Sequence, residues 1–116
     1  MKEAGNFEAA LDIYARISKD TSQGKILRDA ASLNLVLIKI GRSDQKSENL
    51  ISYLRPLTEP GRPLRFSAKE VLGLLEIKHG DKKSAESTFK ELAENLEAPE
   101  PLRARALRLI TVLNSH

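Results

Sequence analysis

The chain has no cysteine and no tryptophan, and aromatic residues make up only 4% of it. Without thiols, neither a disulfide framework nor a thiolate zinc site can form. Its two histidines, His79 and His116, stand far apart among scattered carboxylates, so no metal site and no cofactor is expected. No apolar run approaches the roughly 20 residues of a membrane-spanning helix, and no signal-peptide pattern opens the sequence. A glycine-rich phosphate loop, a nucleophile elbow and an HExxH helix are all missing. The carboxylates Asp12, Asp29, Glu48, Glu70 and Glu76 show no paired spacing suited to acid–base work and read as solvent-facing helix residues. Nothing here specifies an enzyme.

So few rings require a core of Leu, Ile, Val and Ala, which suits an all-α fold. At 116 residues the chain fits one domain over 1–116, with little room for a second. Its formal charge of +3 is unevenly placed. Residues 1–100 hold 16 basic and 16 acidic side chains, while 101–116 add Arg103, Arg105 and Arg108 and no acid. A solvated basic face is the ordinary reading of such a helix, and a site for an acidic partner the alternative. Nucleic-acid binding is disfavoured by the neutral remainder and by the lack of basic residues interleaved with aromatics.

The stretch Leu64 to Leu92, LRFSAKEVLGLLEIKHGDKKSAESTFKEL, reads as a helical hairpin. Leu64, Ala68, Val71, Leu72, Leu75 and Ile77 mark one stripe, and Ala85, Phe89, Leu92 and Ala93 a second. Between them Gly80 suits a left-handed helix end and Asp81 the following N-cap. Gly73 and Ala85 are small where the arms would cross. Gly5, Asn6, Ala10 and Tyr14 precede Gly80, Asp81, Ala85 and Phe89 by a constant 75 residues, or two periods of about 37. A second register is independent of the glycines. Leu27, Arg28, Ala31 and Leu35 recur as Leu64, Arg65, Ala68 and Leu72, then as Leu102, Arg103, Ala106 and Ile110, at offsets of 37 and 38.

These registers divide the chain into alternating first and second arms. A second arm starts near Gly5, a first arm spans Lys25 to Ile40, and Gly41 ends it. Apolar residues nearly encircle that first arm, as expected of a helix between two neighbours. The next second arm runs roughly from Gln45 to Leu57 with Ser43 or Asp44 as its cap. Pro63 is placed as the first residue of the central hairpin. A lone last helix from Pro101 to about Asn114 would cover the end of the stack. The chain begins in mid-repeat, which reads as a fragment of a longer protein.

Helix-turn-helix units of this period resemble the tetratricopeptide repeat. The segments GNFEAALDIYARI, LRDAASLNL, PLRFSAKEVLGLLEIKHGDKKSAESTFKEL and PLRARALRLI together resemble the divergent tetratricopeptide-like domain of the ancillary subunits of the bacterial Sec translocon. That resemblance implies a right-handed superhelix of antiparallel helix pairs, about six helices, with a lone C-terminal capping helix. It further implies an N-terminal membrane anchor and a first repeat arm that are missing here. The soluble part would then face the periplasm from the bacterial inner membrane and bind protein segments, translocon components or periplasmic chaperones. With first arms lining a concave groove, the candidate contacts are Arg28, Ser32, Lys39, Glu70, Lys78, Arg105 and Arg108. A rival use of the same fold is homo-oligomerisation through the exposed stripe of the first helix.

Overall fold

A computed structural model describes residues 2–41 and 46–115, with side chains from residue 8 onward. Six α-helices and no strand occur among these residues: α1 (Lys2–Lys19), α2 (Lys25–Ile40), α3 (Ser47–Leu54), α4 (Arg65–His79), α5 (Lys82–Glu94) and α6 (Glu100–Asn114). Each helix packs on the next in sequence, and α4 also touches both α2 and α6. The extents are 39 × 32 × 22 Å and the radius of gyration is 14.8 Å. A spherical domain of this length would have about 13.4 Å. The excess matches the unequal extents.

The hairpin at the centre is built from local chemistry. Gly80 adopts φ +89°, where only glycine avoids a Cβ clash with its own backbone. Its amide donates to the Ile77 carbonyl at 3.0 Å and the Asp81 amide donates to Glu76 at 2.9 Å, a Schellman end that satisfies the last carbonyls of α4. Asp81 then accepts from the Ser84 amide at 3.1 Å and from the Ser84 hydroxyl at 2.7 Å, opening α5. Those two bonds, the hydroxyl's first, hold the Asp81 carboxyl below its ordinary range. The turn before α4 uses the other left-handed glycine, Gly61 at φ +88°, after Pro60, with the Arg62 amide donating to Glu59 at 3.1 Å.

Two apolar clusters separate the layers. Leu33, Val36, Leu50, Ile51, Leu54, Leu57, Ala68, Val71, Leu72 and Leu75 join α2, α3 and α4. Ala85, Phe89, Leu92, Ala98 and Ala106 join α5 to α6. The recurring alanines Ala31, Ala68 and Ala106 are all buried, so the register read from the sequence is a register of close helix approach. In α1 no residue from 8 to 19 is buried; Leu11, Tyr14, Ala15 and Ile17 are half-covered by α2.

Several expectations need correction. Gly5 and Asn6 lie inside α1 and make no turn. A helical glycine costs only about 1 kcal/mol, and the alanines and glutamates around it are good helix formers. Gly73 faces the Phe89 ring: a Cβ there would stand 2.5 Å from Cζ of that ring. The second arm expected from Gln45 to Leu57 is an α-helix only over Ser47–Leu54, then tightens to a 3₁₀ turn over Arg55–Thr58, because Pro56 supplies no amide to continue the α pattern. Its N-cap is Lys46, without a side-chain bond; Ser43 and Asp44 lie outside the described residues. Pro63 precedes α4 by two positions, and Leu64 is the N-cap. One side of α2 stays open, with Ile26, Leu27 and Leu37 exposed.

Candidate functional site

Polar contacts between layers decide which charged groups remain for a partner. Asp29, expected in solvent, is buried, and Arg62 grips it through Nε at 3.0 Å and a terminal nitrogen at 2.7 Å. This pair locks the start of α2 to the turn before α4. The hydrogen bond to Asp29 also pushes the Arg62 guanidinium above its ordinary value. Glu76, also expected in solvent, is buried and accepts from the Thr88 hydroxyl at 2.6 Å, tying α4 to α5. Neither position carried a sequence signal of burial, since an isolated acid on a helix is most often exposed. A buried carboxylate persists here because each has a donor at hydrogen-bond distance.

The seven candidate positions fall into three groups. Arg28, in the repeated arginine position, is half-buried with its Nε lacking a partner, and its charge helps hold the Asp20 carboxyl low after the dominant hydrogen bonds from Ser22. Its register mates turn back to the preceding loops: Arg65 donates to the Arg62 carbonyl at 3.2 Å and Arg103 to the Ala98 carbonyl at 3.1 Å. Arg65 and Arg103 thus staple the starts of α4 and α6.

Ser32 and Lys39 look toward the second arms. Tyr53 of α3 contacts the Ser32 hydroxyl at 3.4 Å. Lys39 lines an open groove of 540 Å³ over α2, between α1 and α3, with Leu11, Asp12, Leu35 and Tyr53. Glu70, Lys78 and Arg105 instead bridge successive first arms. Lys78 donates to the terminal carbonyl of α2 at Ile40. Arg105 binds Glu70 in a two-pronged pair, Nε to Oε2 at 2.7 Å and a terminal nitrogen to Oε1 at 3.1 Å, which also raises the arginine's value. Arg108 is exposed one turn further along α6. Glu70 therefore already takes up Arg105, a pairing that no local pattern signals because the two lie 35 positions apart.

The feature missed by sequence reading is an apolar furrow between the ends of α4 and α6. Ile77, Leu109, Val112 and Leu113 line it together with Gly80 and Lys82, around 390 Å³ of open space. Leu74, one turn before Ile77, is 40% exposed, and Val112 is 52% exposed. The signal was present as i, i+3, i+4 spacing on α6, but such spacing does not distinguish a core stripe from a bare one. Among the described residues no group of His, Asp and Glu is placed to hold a metal ion, and no helix is long and apolar enough to cross a membrane. Comparison with family models, with characterised proteins and with solved structures finds no match.

Proposed function

We propose that the chain is a non-catalytic scaffold that holds other polypeptides on the face formed by its first arms α2, α4 and α6. The observation that carries this reading is the pairing pattern. Consecutive helices pack in order, α4 touches both other first arms, and the alanine of each first arm is buried at the same register position. A stack of tetratricopeptide-like helix pairs would produce such a succession, which supports the reading. From the resemblance to ancillary translocon subunits we infer that such a scaffold works beside the bacterial inner membrane, on the periplasmic side. Secretion chaperones and translocon components are its partners on that reading.

Self-association is the second reading, favoured by the half-covered stripe of α1 and by Ile13, which is 54% exposed. Sedimentation over a hundredfold range of concentration separates the two. A constant monomer mass supports the scaffold; a mass that doubles with concentration, and that Ile13→Glu returns to monomer, supports self-association. Within the scaffold reading, Arg108 is the cleaner probe of the basic face because Arg105 is already held by Glu70. Arg108→Glu is expected to weaken capture of an acidic partner segment, and unchanged capture would remove the basic face from the account.

A further inference from the structure

We propose that α6 is a lid beside α4, held ajar by the Glu70–Arg105 pair, and that loosening this pair lets the furrow between the two helices close. The helices meet at one end and stand apart at the other. Phe66, near the start of α4, packs against the cluster that joins α5 to α6, and one turn on Glu70 is gripped by Arg105. Toward the C-terminal ends the 390 Å³ furrow separates them, with Ile77 and Gly80 on one wall and Leu109, Val112 and Leu113 on the other. Ile77 is still 36% exposed there and Val112 52%.

Closure has a driving force. Two aliphatic walls left in water gain by being buried against each other. Apart from Lys82, which is engaged in an interaction of its own, every lining residue is aliphatic or glycine, so the move traps no other polar side chain. The contact of α6 with α5 runs partly through Ala85, Ala93, Ala98 and Ala106, small side chains over which packed helices shift more easily than over interlocked large ones. What fixes the opening is the fork at the other end. Arg105 Nε donates to Oε2 of Glu70 at 2.7 Å and a terminal nitrogen donates to Oε1 at 3.1 Å, and two parallel bonds set direction as well as distance. The neighbouring charge on α4, Lys69, is turned instead to Glu91 of α5. The Arg105 side chain is 47% exposed and that of Glu70 18%, so dissolved ions reach the pair from the arginine side and screen it. A pair this exposed biases an equilibrium about fivefold or less, enough to hold a lid that ionic strength can release.

The test exploits the absence of cysteine from the chain. His79→Cys and Thr111→Cys, both at exposed positions outside the furrow lining, carry nitroxide labels on the far ends of the two helices, and double electron–electron resonance reads the distances between them. At low salt a long distance is expected to dominate. In about 1 M sodium chloride the ratio of a shorter distance to the long one is expected to rise about threefold to fivefold. Glu70→Ala should show the same rise already at low salt and no further response to salt. Lys69→Ala, which removes the contact with Glu91 and leaves Arg105 its partner, should behave as the native chain. Melting curves check that each variant is folded, and Arg105→Gln breaks the pair from its half-exposed side should Glu70→Ala not fold. The salt series on the labelled native pair needs neither. Distances unchanged in the pair-breaking variant, a native pair indifferent to salt, a shift to longer distances, or an equal shift in Lys69→Ala overturns the proposal.

Discussion

Phe89 is the largest fully buried side chain among the described residues, and its ring lies where a Cβ on residue 73 would stand, 2.5 to 2.9 Å from three ring atoms. Gly73→Ala therefore sets a gain in helix propensity of about 1 kcal/mol against overpacking that costs about 1–3 kcal/mol. Because the ring is rigid and enclosed, the loss wins, and urea melts should show a net destabilisation of up to about 2 kcal/mol. Adding Phe89→Leu to that variant should recover part of it, which a double-mutant cycle reads directly. Sequence reading identified Gly73 as a position of close approach but not that the Phe89 ring lies against it, since spacing gives the face of a residue and not what lies opposite. Asp29 shows a harder limit. Its burial depends on Arg62, 33 positions away, and no local pattern connects them. Arg62→Ala leaves an acid in the interior without its donors and should cost about 1–3 kcal/mol. An unchanged denaturation midpoint would mean that water replaces the guanidinium.

At the scale of elements, the helices differ in how much holds them. The α4–α5 hairpin has a Schellman end, a side-chain cap and the Phe89 core, whereas α1 contributes no buried residue from 8 to 19. Amide hydrogen exchange should therefore be fastest in α1 and slowest across α4 and α5; equal protection would contradict the layering. The cap carries its own pH signature. Ser84 holds the Asp81 carboxyl low, so the charged form is favoured in the fold. Its contribution is present above the ordinary aspartate value of about 3.9 and fades as pH falls through the lower folded value. Asp81→Ala should melt below the native chain at pH 7, and the gap should close as the pH is taken well below 4. The existence of this hairpin was legible because glycine and aspartate at a helix junction each have one dominant use. Boundaries set by neighbours were less so: α3 ends at Leu54, where Pro56 and the packing of Leu57 tighten the chain into a 3₁₀ turn.

For the whole molecule, a repeat spacing near 37 foretold the succession of helices, because each unit must bury its stripe on the next. It did not foretell which charges the stack consumes. Arg105, chosen from the sequence for a basic groove, is paired with Glu70, and the open surface of the first-arm face is instead the aliphatic furrow beside the lysine turn. The most direct test of the scaffold account is photo-crosslinking in living cells from single positions around the chain. Probes on first arms, at Leu74, Leu107 and Arg108, should give adducts with another polypeptide, while probes on second arms, at Ile13, Tyr53 and Lys90, should give none. Adducts from the second arms alone, or only adducts joining two copies of the chain, would contradict it.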